Sequence, residues 1–326
     1  MPHTSLSAAS DAAIGNAIWP AGPVMRIFSP LSTGPSLARE TAGVERFERA
    51  GLTFDVSDAG PDGGEEVDLL HGFPETSRSW DDVLPLLVAG GCRVLAPDQR
   101  GYSPAARPAG RRAYVLSELV ADALALGTRS GAERFHVVGH DWGAAVAWAL
   151  AAAHPDRVAS LTAVSAPHPA AMAQALVRSS QALHSWYILL FQLPGLPERL
   201  LASRLEDGLR RDGLPERFAR TYADVLGQPG ALTAALNWYR AIPFERHRVG
   251  PVAAPTTFVW STGDRFITRT AAELTARRVT APYRVEVLEG LSHWLPETAP
   301  EVVARIVLDR MHDRGDGQEP RSSPGS

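Results

Sequence analysis

The chain has 326 residues, 45% hydrophobic and 21% charged, with 28 Gly and 26 Pro, a composition of ordinary globular proteins that excludes collagen, coiled coil and wholesale disorder. Its 32 basic residues, all arginine, against 36 acidic ones leave a formal charge of -4 and no basic stripe for nucleic acid or anionic lipid. One cysteine, Cys92, rules out an internal disulfide and a cysteine-based zinc site, and the lack of lysine rules out Schiff-base and lysine general-base chemistry.

At roughly 150 residues per domain the length suggests two units, or one α/β unit carrying an insertion. No apolar run reaches the ~18 residues of a membrane span, and the start lacks a basic stretch followed by an apolar one. With the lone cysteine, this reads as a cytoplasmic protein.

Residues 1–45 are rich in Ser, Ala, Gly and Pro without periodicity, and are expected to form a flexible N-terminal extension without chemistry. A hairpin edge follows around Phe47–Val56. Strands are then expected at Glu66–His71, Arg93–Pro97, Phe135–Gly139 and Val158–Val164, with helices at 80–89, 115–129 and 143–154 between and after them. The stretch 168–250 breaks this alternation: it carries helical patterns punctuated by Pro and Gly and reads as an inserted helical lid. Strands Thr256–Trp260 and Tyr283–Leu288, with helices at 269–279 and 299–312, resume the pattern, and the polar tail 314–326 reads as disordered. The alternation implies an α/β fold with a mostly parallel twisted sheet flanked by helices, built from 46–167 and 251–313.

The stretch from Phe135 to Ala145 is an apolar strand, a Gly-His-Asp-Trp-Gly turn and an Ala-rich helix. This is the layout of a nucleophile elbow, in which small residues on each side admit a tight turn that lifts the central side chain above the sheet. The plainer reading makes Asp141 a helix N-cap; the flanking glycines favour the elbow. An aspartate there changes the chemistry expected of a serine. Its carboxylate, with an ordinary pKa near ~3.9, is already charged and needs no activating base. Its natural target is an sp3 carbon, giving an alkyl ester that a histidine-activated water then hydrolyses.

In elbow folds the order is nucleophile, acid, histidine, with the last two on loops after late strands. Asp264, in Ser261-Thr262-Gly263-Asp264, and His293, in Leu291-Ser292-His293-Trp294, fit, with Asp264 fixing the imidazole tautomer. A turn aspartate and a surface histidine are the blander readings. His71 is expected to be structural, His140, His154 and His168 structural or exposed. No histidine pair has metal-site spacing, so no metal and no cofactor are expected. The loop His71-Gly72-Phe73-Pro74 follows a strand, and the amides of Phe73 and Trp142 would form the oxyanion hole.

His-Gly-Phe-Pro at 71–74, Gly-His-Asp-Trp-Gly-Ala at 139–144 and the Asp264 and His293 loops together resemble the epoxide hydrolases of the α/β-hydrolase superfamily, over about residues 45–312. Ser185–Gly195 is similar to that family's first lid tyrosine segment and Leu236–Arg240 to its second. The resemblance therefore implies Tyr187 and Tyr239 as a phenol pair donating to the alkoxide of an opening epoxide, with a covalent ester intermediate on Asp141. Phenols suit this because they donate while staying neutral. Each tyrosine is otherwise an ordinary core aromatic of a lid helix.

Haloalkane dehalogenases share the aspartate but typically have Asn where this chain has Phe73, and the fluoroacetate type has Arg where this chain has Trp142. Dehalogenase is therefore the alternative, with a non-catalytic binding protein of the same fold behind it. The lid residues Met172, Leu176, Leu183, Trp186, Leu189, Leu190, Phe191 and Leu193 suggest an apolar pocket, with Trp186, Phe191 and Trp294 as substrate contacts. The expected partners are a small hydrophobic epoxide and water, with no nucleic acid and no membrane, and a homodimer as a possible assembly.

Overall fold

Runs of β-branched residues separated by Ala- and Leu-rich stretches fold into a nine-stranded sheet. The structure is a computed structural model and describes residues 25–28 and 43–313. The strands are β1 (Met25–Phe28), β2 (Gly43–Arg49), β3 (Leu52–Ala59), β4 (Glu65–Leu70), β5 (Cys92–Pro97), β6 (Phe135–His140), β7 (Val158–Val164), β8 (Thr256–Ser261) and β9 (Tyr283–Leu288). They lie in the order β1-β9-β8-β7-β6-β4-β5-β3-β2. The β2–β3 and β3–β5 pairs are antiparallel, and all other neighbours are parallel. Ala50 and Gly51, both at positive φ (52° and 75°), make the tight turn between β2 and β3.

Adjacent residues on the central strands serve opposite faces. Val137, Leu161, Phe258 and Val287 join the core beneath α2 (Leu116–Arg129) and α3 (Trp142–Ala153). Val138, Val164, Val259 and Leu288 join the core beneath α1 (Leu84–Ala89) and the helix Pro300–His312. Strands buried on both sides explain the continuous apolar runs that the sequence shows. Cys92 lies in the second core, its Sγ 3.9 Å from Met311 Sδ.

Three expectations are corrected. The N-terminal extension contains β1, which pairs in parallel with β9 from Met25 opposite Val285 to Phe28 opposite Leu288; a four-residue strand is too short to announce itself by alternation. The rest of that segment up to residue 42 and the tail 314–326 lie outside the described residues. The expected 80–89 helix is a 3-10 turn, Ser77–Trp80, followed by α1, because Pro85 lacks an amide hydrogen and favours the first turn of a helix. The expected 269–279 helix is α11 (Arg269–Thr275), tightening into a 3-10 turn at Ala276–Arg278.

Between β7 and β8 the chain runs through seven helices. They are α4 (Pro169–Arg178), α5 (Gln181–His184), α6 (Tyr187–Phe191), α7 (Leu196–Ala202), α8 (Leu205–Arg211), α9 (Glu216–Leu226) and α10 (Ala231–Ala241). Buried Arg240 binds them together: it grips Glu198 of α7 through two nitrogens, at 2.7 and 2.9 Å, and donates to the carbonyls of Phe191 and Leu193. The α10 helix is seated on the core by the Trp238 indole, which donates to the Arg100 carbonyl at 2.8 Å. We refer to this layer as the cap. Among the described residues no helix is long and apolar enough to cross a membrane.

Candidate active site

Asp141 stands between the end of β6 and the start of α3 with φ +50°, a conformation few non-glycine residues adopt. Its side chain makes no N-cap hydrogen bond, so the capping reading does not hold. The small residues on either side are required by close approach. A Cβ at Gly139 would lie 2.2 Å from the Gly143 carbonyl oxygen, and one at Gly143 would lie 2.0 Å from the Leu70 oxygen. The strained turn thus raises the carboxylate above the sheet, where the Phe73 amide donates to Oδ1 at 3.0 Å.

Two loops bring the partners. After β9, His293 turns its Nδ1 to Asp264 Oδ2 at 2.9 Å and its Nε2 toward Asp141 Oδ2 at 3.6 Å. The His293 carbonyl accepts from Ser165 Oγ and His140 Nε2, each at 2.9 Å, which fixes the loop from below. Asp264 follows β8, and its other oxygen accepts the amides of Phe266 and Ile267 at 2.8 and 3.1 Å. With both oxygens engaged, this carboxylate holds one orientation and aligns the imidazole. Asp141, Asp264 and His293 therefore come together as the sequence order suggests.

Charge on the pair is mutually reinforced. Burial alone would lower the His293 pKa, but the charge and hydrogen bond of Asp264 and the charge of Asp141 raise it well above the usual imidazole value. Burial alone would raise Asp141, yet the neighbouring His293, then His140 and the Phe73 amide, hold it below the ordinary carboxylate value. Each partner thus favours the charged form of the other.

Tyr187 and Tyr239 face the same space from α6 and α10, their rings 6.0 Å apart. The Trp142 ring meets Tyr239 edge-on, with centroids 5.1 Å apart. Burial raises both phenols above their usual pKa, so both stay neutral donors. Together with Phe73, Phe191, Asp141 and His293 they line a cavity of about 430 Å³, within the range for small-molecule sites.

The lid residues divide differently from the expectation. Leu183, Trp186 and Phe191 line the cavity, while Met172, Leu176, Leu189, Leu190 and Leu193 do not. On the short helix α6, Tyr187 and Phe191 are four apart and share one face, which turns Leu189 to the other side at 75% exposure. Trp186 stands at the rim, 62% exposed, and Trp294 is buried with its indole N–H directed to Asp212 Oδ2 at 3.3 Å.

Sequence reasoning missed a buried polar layer beneath the site. Glu75 Oε2 accepts the Gly72 amide at 2.7 Å, and its Oε1 lies 2.6 Å from His140 Nδ1. Burial opposes a charge on His140, but Glu75 raises its pKa above the usual value. The cap reaches this layer through Tyr222, whose hydroxyl donates to Glu297 Oε1 at 2.7 Å. The signal for Glu75 was its place directly after His-Gly-Phe-Pro; Tyr222 and Glu297 carry no local signal. His71 and His168 are buried and bonded to backbone: His71 Nε2 accepts the Gln99 amide at 3.0 Å, and His168 Nε2 donates to the Gly250 carbonyl at 3.0 Å. Among the described residues no group of three His, Cys, Asp or Glu side chains is placed to hold a metal ion.

An elbow aspartate, a late acid and a late histidine on a mostly parallel sheet define a hydrolase of the elbow class, and residues 67–300 match the alpha/beta hydrolase fold family, to which this chain belongs. Among curated proteins it is 38% identical over 280 residues to AB hydrolase superfamily protein YfhM of Bacillus subtilis, covering 81% of this chain and 96% of that one. It is 34% identical over 305 residues to Epoxide hydrolase A of Mycobacterium tuberculosis, covering 79% and 94%. Among solved structures it resembles epoxide hydrolase A from Mycobacterium thermoresistibile with a TM-score of 0.73 and 29% identity, covering 83% of this chain and 98% of that one.

Proposed function

We propose that this chain hydrolyses epoxides to vicinal diols through an ester on Asp141. The observation that carries the reading is the pair of neutral phenols, Tyr187 and Tyr239, in one cavity with a charged aspartate. Their donors lie where the charge of an opening ring develops, and such donors act on the transition state more than on the substrate. The similarity to epoxide hydrolases over most of the chain supports the same activity.

The Phe73 amide holds Asp141 Oδ1, which leaves Oδ2 to attack a ring carbon. The C–O bond of the ring breaks, its electron pair goes to oxygen, and a phenol supplies the proton. Once Asp141 is an ester its charge is gone, so His293 loses one of the two anions that hold its proton. That proton leaves and restores the phenol, and the neutral imidazole takes a proton from a water attacking the ester carbonyl. The resulting oxyanion is stabilised by the amides of Phe73 and Trp142. Collapse expels the diol oxygen, which takes the imidazolium proton, and the Asp141 carboxyl left behind passes its own proton to His293, restoring the resting pair. The net change is epoxide plus water to diol.

The largely apolar lining suits a small hydrophobic epoxide as substrate, with no cofactor in the reaction. Dehalogenation is disfavoured, because Phe73 has no side-chain donor to pair with Trp142 around a halide. A buried lone thiol suits residence in the cytoplasm.

The test is mass spectrometry of His293→Gln incubated with panels of aryl and alkyl epoxides and of haloalkanes. An adduct of epoxide mass on Asp141 is the expected result. An adduct from haloalkanes alone would replace the proposal with dehalogenation, and no adduct from either would sink it.

A further inference from the structure

Asp212 follows the last turn of α8, where its amide donates to the carbonyls of Gly208 and Leu209, both at 3.1 Å. Its carboxylate, 10% exposed, reaches down from the cap to both catalytic loops. Oδ1 pairs with Arg265 at 2.5 Å, and Oδ2 accepts the Trp294 indole at 3.3 Å. Arg265 directly follows Asp264, and Trp294 directly follows His293. One cap carboxylate is thus tied to the residue next to the acid and to the residue next to the base.

The same tie shapes the walls around the imidazole. Phe266 and Trp294 meet the His293 ring edge-on, with centroids 4.9 and 5.3 Å away. Arg265 lies over the Phe266 ring at 5.4 Å, so both walls are attached to Asp212, one through a guanidinium and one through an indole. The cap turn also abuts the residue before the base: a Cβ built on Gly213 would lie 3.6 Å from Ser292. The cap also meets the Asp264 loop through His184 to the Arg265 carbonyl and Gln181 to the Phe266 carbonyl, each at 2.7 Å.

We propose that Asp212 is a positioning residue through which the cap holds Asp264 and His293 in the alignment needed for ester hydrolysis. The inference rests on the epoxide-hydrolase reading for its kinetic consequence but on geometry alone for the alignment. Ring opening depends on Asp141 and the phenols, which Asp212 does not touch; hydrolysis depends on the imidazole that it braces. Loss of the Asp212 tie alone, with the cap otherwise seated, would therefore slow the hydrolytic half-reaction first.

Two measurements test this on the full-length protein carrying Asp212→Ala, Asp212→Asn or Arg265→Gln. In single-turnover reactions with a styrene-type epoxide, acid-quenched and weighed, Asp212→Ala is expected to slow ester hydrolysis about tenfold, well inside the ~10²-fold that a 1 Å misplacement can cost. Ring opening should change by less than about twofold, so ester accumulates on Asp141. Asp212→Asn keeps an acceptor for Trp294 and should fall between Asp212→Ala and the parent, close to Arg265→Gln. Equal slowing of both steps together with a lowered melting temperature would mark a merely structural residue and overturn the proposal, as would unchanged kinetics.

The second measurement needs no substrate: proton NMR of the His293 Nδ1–H shared with Asp264. Loss or marked shift of that resonance in Asp212→Ala is expected, and an identical resonance would overturn the proposal. If the parent protein forms no ester with any epoxide, the functional reading fails, while the NMR outcome still decides the role of Asp212.

Discussion

His293 Nε2 stands 3.6 Å from Asp141 Oδ2, close enough for each charge to hold the other and too long for a hydrogen bond of ordinary length. Esterification of Asp141 removes one of the two anions that raise the His293 pKa, leaving Asp264. The two half-reactions should therefore answer differently to pH. Ring opening needs Asp141 ionised, and its carboxyl lies below the usual range, so its rate should stay level until strongly acidic pH. Ester hydrolysis needs a neutral His293 and should fall as pH drops, because protonation then removes the base. Stopped-flow single turnovers across pH check this, and parallel loss of both steps would contradict it.

Replacing Asp141 with Asn keeps the size of the side chain and removes the attacking charge. Turnover should fall by at least about 10⁴-fold, the scale on which removal of a nucleophile acts in comparable hydrolases. The measurement is steady-state diol formation by protein purified free of the parent enzyme.

Tyr187→Phe and Tyr239→Phe should each slow ring opening by about tenfold or more, and the double variant by about 10²–10³-fold, the scale for lost oxyanion donors. Hydrolysis of preformed ester should change little, since that step uses the amides of Phe73 and Trp142. Rapid-quench rates for the two steps separate the cases; equal loss in both would mean that the tyrosines only shape the cavity.

Stability should also depend on pH through two buried carboxyls. Burial, then the charge of Glu75, pushes Glu297 up to about 8 from an ordinary value of 4.5. Between those values the folded chain keeps a proton that the unfolded chain has released. Stability must then fall as pH rises across that window and level off above it. Glu297→Gln keeps an acceptor for Tyr222 and should flatten the slope.

Asp68 contributes with the same sign. It is fully buried on β4 with neither oxygen hydrogen-bonded, and burial, then Glu66, raises it well above the usual carboxyl value. Asp68→Val should stabilise by about 1–3 kcal/mol at neutral pH, the cost of a buried unpaired polar group. Urea denaturation of each variant at several pH values is the check.

How far the sequence carried the structure depended on how local each signal was. The strand-turn-helix around Asp141 and the late loops carrying Asp264 and His293 are each written in a few consecutive residues, so their places could be assigned by chain order. Strands β5 to β8 were nearly as legible, because burial on both faces makes them largely apolar, whereas β4 and β9 carry Asp68 and Glu286 among their buried residues. The β1 strand was not, since its order comes from pairing with β9 some 260 residues on, as Met25 does with Val285. Asp212 and Glu297 were silent for the same reason: each acquires its partners only when the cap closes on the core. Leu189 shows the converse, an apolar residue assigned to the pocket that helix geometry turns outward.

The burial of Cys92 against Met311 has a chemical consequence for a protein that handles strained three-membered rings. Such rings alkylate thiols and amines indiscriminately. This chain has no lysine, and its one thiol is sealed in the core with its pKa raised, so little thiolate exists to react. Outside the site, the molecule thus offers its reactive guest neither a lysine amine nor an accessible thiol.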